Sequence, residues 1–93
     1  MQITVRTFAT FREVIGLREK SLSLPTGETV GGLLENLCQT YPGLRVHLFD
    51  ADGRIKPYLL ILKNGRSVAS LRQLNTVIDA GDVIALFPPV AGG

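Results

Sequence analysis

The residues best suited to chemistry stand at the end of the chain. Pro88, Pro89, Val90, Ala91, Gly92 and Gly93 leave directly from the apolar run Val83-Ile84-Ala85-Leu86-Phe87. Two prolines fix φ and lack the N–H that a β-ladder uses, so they stop a strand and stiffen the exit. Two glycines then supply backbone without any Cβ, able to thread a slot too narrow for side chains. Six extended residues span at most ~20 Å, enough to reach into the active site of another protein. The α-carboxylate of Gly93 is expected at the tip, ionised at neutral pH because its reference pKa is near ~3.5. A frayed end also tolerates glycine. The combination of apolar strand, Pro-Pro, small residues and Gly-Gly points instead to a tail on which other enzymes work.

The other reactive side chains assemble no second centre. His47 is the only histidine and Cys38 the only cysteine. A structural zinc site within one chain is therefore excluded, and no metal is expected. Cys38 falls on the apolar stripe of a helix, where a thiol is ordinarily inert packing. One histidine and one helical cysteine do not make a nucleophile, base and orienting group, so an independent enzyme is not expected. Asp50-Ala51-Asp52-Gly53 lacks the later ligands and closing Glu of a calcium loop and reads as a solvated turn. Asp79 and Asp82 flank Ala80-Gly81 before a strand, which is turn chemistry more than acid/base chemistry. Thr26-Gly27 through Gly31-Gly32 is glycine-rich before a helix, but carries neither Gly-Lys-Ser/Thr nor a dinucleotide fingerprint.

A chain of 93 residues makes one domain with a modest core. Hydrophobic content of 45% with interspersed charges describes a folded globule. Ten basic and eight acidic residues give +2, scattered along the chain without a basic cluster and interleaved aromatics. Nucleic-acid binding is therefore not expected. A single cysteine allows no internal disulfide and leans towards the cytosol. No long apolar span is present, and Met1 runs into strand-like sequence without a charged leader, so a cytoplasmic protein with no membrane partner is expected.

The elements that position the tail follow from periodicity. Gln2 to Phe8 alternates, with Ile3, Val5 and Thr7 inward and Gln2, Thr4, Arg6 and Phe8 outward. Ala9 to Gly16 reads as a short helical turn stopped by Gly16, with Phe11, Val14 and Ile15 inward. Glu19 to Leu24 alternates again and ends at Pro25-Thr26-Gly27, giving an antiparallel hairpin with the first strand. Val30, Leu33, Leu34, Leu37, Cys38 and Tyr41 form one helical stripe, capped by Thr29 and stopped by Pro42-Gly43. Gly31 and Gly32 each cost this helix up to ~1 kcal/mol, so it is expected to depend on packing against a sheet. Leu44 to Pro57 is the least readable stretch. Tyr58 to Leu62 reads as a strand, with Asn64-Gly65 a hairpin-type turn. Ser67 to Val77 reads as irregular, with a short strand near Val68 and a turn around Leu74. Asp79-Ala80-Gly81-Asp82 is a turn before the final strand.

This order predicts an α+β chain with one mixed sheet and one main helix on one face, the β-grasp arrangement of ubiquitin. Residues 1–87 are expected to form that domain and 88–93 a flexible C-terminal Gly-Gly tail. Two of the strands are apolar on both sides, yet one helix covers one face only. The other face is therefore either covered by Leu44–Pro57 or left as an apolar patch for a partner, with Phe8 and Phe87 placed there.

Asp79-Ala80-Gly81-Asp82-Val83-Ile84-Ala85-Leu86-Phe87-Pro88-Pro89-Val90-Ala91-Gly92-Gly93 resembles the closing signature of the MoaD/ThiS family of sulfur carriers, prokaryotic relatives of ubiquitin. Phe8 to Gly16, with Arg12, and the turn Lys63-Asn64-Gly65-Arg66 resemble two further segments of that family. The resemblance implies that Gly93 is the site of adenylation and thiocarboxylation, with Gly92 before it as part of the same site. It implies that no cofactor is bound, and that the thiocarboxylate forms using ATP in a ubiquitin-activating-type (MoeB/ThiF-like) enzyme. Phe8, Phe87, Pro88, Pro89, Val90 and Ala91 would bind partners. Phe87-Pro88-Pro89-Val90 resembles the small subunit of molybdopterin synthase, which implies a large-subunit (MoaE-like) partner and a place in molybdenum cofactor biosynthesis. The ending Val-Ala-Gly-Gly and the long Leu44–Pro57 segment also resemble CysO, and another sulfur-accepting enzyme, such as one of tRNA thiolation, stays open. So does conjugation of the tail to lysines, as in ubiquitin.

Overall fold

Alternating polarity at the start of the chain produces strand β1, Gln2–Thr7, with Ile3, Val5 and Thr7 buried. The computed structural model describes residues 1–89, so the expectations placed on Val90, Ala91, Gly92 and Gly93 lie outside the described residues. After β1, Ala9 takes a positive φ of 51° and helix α1, Thr10–Ile15, follows. Gly16 ends α1 in the left-handed region at φ 83°, where a Cβ would be strained. Strand β2, Glu19–Ser23, then runs antiparallel to β1, pairing Ile3 with Leu22 and Val5 with Lys20.

Helix α2, Val30–Thr40, presents Val30, Leu33, Leu34, Leu37 and Cys38 to the core. Thr29 caps it, its hydroxyl accepting from the Gly32 N–H at 3.2 Å. The glycines that weaken this helix have a local reason. A Cβ on Gly31 would stand 3.2 Å from the carbonyl oxygen of Leu74. Gly31 thus admits the 3-10 turn Gln73–Asn75 against the first turn of the helix. Strand β3, Leu60–Lys63, turns through Asn64 (φ 49°) and Gly65 (φ 86°) into β4, Arg66–Ser67. Strand β5, Val83–Phe87, lies between β1, to which it is parallel, and β3, to which it is antiparallel. The sheet order is β2-β1-β5-β3-β4. This is the ubiquitin-like β-grasp fold, with α2 across one face.

One local expectation is corrected and two are made more specific. The third strand begins at Leu60 and not at Tyr58, whose side chain is 82% exposed. The short strand expected near Val68 is β4, which ends at Ser67, whose hydroxyl caps a 3-10 turn, Val68–Ser70. Leu44–Pro57 carries a 3-10 turn, Pro42–Leu44, running into a one-turn helix α3, Arg45–Leu48. Leu44 and Leu48 enter the same core as α2, so this segment packs on the helix side of the sheet. It does not cover the opposite face.

Candidate functional site

The tail departs from the central strand of the sheet, and that strand is held at both ends. At its exit, the rings of Phe87 and Phe8 stack with centroids 4.1 Å apart and planes 11° from parallel. Both belong to the face opposite α2, because their neighbours Thr7 and Leu86 point into the core. The guanidinium groups of Arg6 and Arg12 lie 5.7 and 5.4 Å from the Phe8 ring centroid. Stacked aromatic rings attract one another, and a cation beside the electron-rich ring face adds to that attraction. Arg12 is itself fixed, donating from Nε and Nη2 to the Thr7 carbonyl at 3.1 and 2.8 Å. Leu60, paired in register with Phe87, is 42% exposed and extends the apolar surface. Pro88 is half-buried and Pro89 exposed at the root of the tail.

At the other end of β5, Asp82 is buried and fully bonded. Its carboxylate accepts from Asn64 Nδ2 at 2.8 Å and from the Asp79 amide at 2.8 Å. The Asn64 side-chain oxygen accepts from the Val83 amide at 2.8 Å, tying the β3–β4 turn to the start of β5. Lys63 Nζ donates to the Val77 carbonyl at 2.7 Å and lies 3.1 Å from Asp79 and 3.4 Å from Asp82. Burial pushes the Asp82 carboxyl up, but the Asp79 amide, Asn64 and Lys63 together hold it below its ordinary value. Lys63 is raised, chiefly by its bond to Asp79. A carboxylate committed to this many donors positions a strand and moves no proton.

The other reactive groups stay apart. Cys38 is buried on α2 and its thiol is pushed up by desolvation, which suits packing and not nucleophilic attack. His47 lies in α3, and among the described residues no group of three His, Cys, Asp or Glu stands close enough to hold a metal ion. No helix among the described residues is long and apolar enough to cross a membrane.

The ThiS family profile matches residues 5–93, nearly the whole chain and all of its closing segment. The chain belongs to the ThiS family. It is 44% identical over 93 residues to small archaeal modifier protein 3 of Haloferax volcanii, covering all of both chains. It is 32% identical over 95 aligned residues to the sulfur carrier protein CysO of Mycobacterium tuberculosis, again covering all of both. The crystal structure of SAMP1 from Haloferax volcanii superposes with a TM-score of 0.87 at 34% identity, covering all of both chains. These relatives are carriers and modifiers, so the ThiS-family chain is placed among ubiquitin-like carrier proteins.

Of the sequence-derived site residues, the fold brings Phe8, Phe87 and Pro88 together, with Pro89 just beyond. Val90, Ala91, Gly92 and Gly93 lie outside the described residues. Sequence reasoning did not single out Arg6 and Leu60. Arg6 was legible through its period-2 relation to Phe8. Leu60 becomes visible only once register sets it beside Phe87.

Proposed function

We propose that this protein is an activated-tail carrier: Gly93 is adenylated by a ubiquitin-activating-type (MoeB/ThiF-like) enzyme and then passed to an acceptor. A carboxylate is a poor electrophile, because its charge is delocalised and its oxygen leaves badly. Conversion to an acyl-adenylate supplies AMP as leaving group. Attack by a lysine ε-amine gives an isopeptide; attack by a persulfide displaces AMP to give an acyl disulfide. A second thiol cleaves this to a Gly93 thiocarboxylate and itself ends in a disulfide with the sulfur donor. Holding the tail on a rigid body makes delivery effectively intramolecular once the body is docked. The exposed Phe8–Phe87–Leu60 surface beside the root is suited to that docking.

The observation that carries this reading is the end-to-end match to a small archaeal modifier protein, including the closing Pro-Pro to Gly-Gly stretch. It favours conjugation to lysines of target proteins as the first outcome. The full-length similarity to CysO favours sulfur transfer as a second outcome of the same activation. Delivery to a molybdopterin synthase large subunit (MoaE-like) is a third outcome, supported by the Phe87-Pro88-Pro89-Val90 sequence and by 30% identity to a Pyrococcus furiosus protein that carries the name molybdopterin converting factor, subunit 1.

The test is incubation with ATP, the adenylating enzyme of the same organism and a sulfur source, followed by intact mass spectrometry. The expected products are a Gly93 adenylate, a species with one oxygen replaced by sulfur, and covalent adducts with other proteins in an extract. A residue added after Gly93 should remove all three while leaving the fold intact. If the extended chain reacts as well as the natural one, the reading is wrong.

A further inference from the structure

Strand β2 ends the sheet, and among the described residues no strand pairs with its outer side. The register with β1 fixes which of its backbone groups are open. Met1 and Leu24 exchange two bonds, the Met1 amino group donating to the Leu24 carbonyl at 2.6 Å and the Leu24 amide to the Met1 carbonyl at 2.8 Å. In an antiparallel ladder every second pair does this, so Ile3–Leu22 and Val5–Lys20 are the next bonded pairs. The amides and carbonyls of Glu19, Ser21 and Ser23 therefore point away from β1 to the open side, and all three residues are exposed.

The side chains along that edge divide by face. Lys20 and Leu22 stand opposite the buried Val5 and Ile3, so they lie on the α2 side. Lys20 accordingly holds its ammonium 5.6 Å from the ring centroid of Tyr41, the residue that ends α2. Arg18 continues the same alternation, its carbonyl accepting from the Thr7 amide at 2.9 Å. The row on this side is thus Arg18, Lys20 and the half-buried Leu22: two cations, then an apolar side chain. Neither cation has a carboxylate within ion-pair distance among the described residues, whereas Glu19, on the other face, is matched by Arg6 at 3.4 Å.

This row decides what the edge accepts. Cations on an edge strand guard it against a second copy. Two copies joined β2 to β2 about a two-fold axis, in the registers that pair most of the strand, set Lys20 opposite Arg18, opposite Lys20 itself or opposite the apolar Leu22. None of these pairs is favourable. A strand with carboxylates opposite the cations and an apolar residue opposite Leu22 meets no such penalty.

We propose that the open edge of β2 is a docking site for an extended acidic segment of a partner protein, which adds to the sheet antiparallel to β2. Backbone bonds to Glu19, Ser21 and Ser23 hold the segment. Its carboxylates, at alternate positions, face Lys20 and Arg18, and a preceding apolar side chain packs on Leu22. Binding needs neither the Phe8–Phe87–Leu60 surface nor Gly93, so it is independent of the activation proposed above.

The test is titration of the isotope-labelled full chain, followed amide by amide by NMR, with the end-blocked peptide Ile-Thr-Val-Thr-Glu-Thr-Glu-Thr. Laid antiparallel, its valine falls opposite Leu22 and its glutamates opposite Lys20 and Arg18. The expected result is saturable shifts centred on Glu19, Ser21 and Ser23, with those amides newly protected from solvent exchange. Lys20→Glu turns one attraction into a repulsion and should weaken binding about fivefold or more, with thermal melting reporting its fold. N-methylation of the peptide's threonine amides, which face β2, should abolish binding and leaves the protein untouched. A chain lacking Gly92 and Gly93 should bind as the natural one does. Shifts centred elsewhere, undiminished binding after Lys20→Glu or N-methylation, or no binding at millimolar peptide overturns the inference and leaves the activation reading standing. So does a dimer of the free chain in sedimentation with the β2 amides protected. A failure of adenylation, by contrast, leaves this docking site as it is.

Discussion

The stacked pair Phe8–Phe87 gives the sharpest test of how the tail root is held. Each ring is half-buried. Full burial of a Phe side chain is worth about 1.5–3 kcal/mol, so roughly 1 kcal/mol of transfer is lost per truncation. The stack adds about 0.5–1.5 kcal/mol. Phe8 loses in addition the attraction of Arg6 and Arg12, about 0.5–1 kcal/mol for each well-placed cation at an exposed site. Phe8→Ala is therefore expected to cost about 2.5–4.5 kcal/mol and Phe87→Ala about 1.5–2.5 kcal/mol. The double variant should fall short of their sum by the stacking energy, about 0.5–1.5 kcal/mol. Urea unfolding of the four proteins measures this, provided the slopes agree, so that midpoints report stability. A coupling below about 0.3 kcal/mol, the ordinary scatter of additivity, would refute the reasoning. Phe87 would then be a surface residue like any other, and Phe8 would have no part in setting where the tail leaves.

Three further outcomes follow from the same geometry. Gly31→Ala should fail to give the ~1 kcal/mol gain that helix propensity promises and should lower the urea midpoint, because the new Cβ meets the Leu74 backbone at 3.2 Å. Asp82 has a depressed carboxyl, so its contribution is present above the unfolded value and lost as pH falls through the folded one. Lys63 is raised, so its contribution is full below the unfolded value and fades as pH climbs past it. Thermal melts of Asp82→Asn against the natural chain should therefore converge below about pH 4 and separate above it. Equal separation at every pH would contradict the ion-paired assignment. Cys38 should resist a thiol reagent in the native state and react at the rate of unfolding, and fast labelling of the folded chain would contradict its burial.

What the sequence reveals here tracks how local each cause is. Strand β1, the α2 stripe with its Thr29 cap, and the Asn64-Gly65 turn each arise from residues a few positions apart, and each stands where periodicity and turn chemistry put it. Tyr58 was misjudged because apolarity continues past the point at which β5 stops pairing: Phe87 meets Leu60, and no strand residue remains opposite Tyr58. Leu44–Pro57 hid its helix because α3 is a single turn, too short to show a period, although Leu44 and Leu48 have the i, i+4 spacing of a buried face. The clamp on β5 was beyond reach, since Asn64 bonds Asp82 and Val83 across 18 and 19 residues of chain.

Those non-local bonds explain why the tail needs this body. A Gly-Gly segment alone has many conformations, and ordering it at an enzyme costs entropy. β5 removes that freedom up to Phe87: the Asn64–Asp82 network fixes its start, β1 and β3 flank it, and the Phe8 stack fixes its end. The two prolines then extend the restriction past the sheet. Leaving Phe8, Phe87 and Leu60 on the uncovered face costs some stability, yet it leaves an apolar surface, the one proposed above for docking, next to the point of departure. A second helix over that face would make a sturdier domain and a worse carrier.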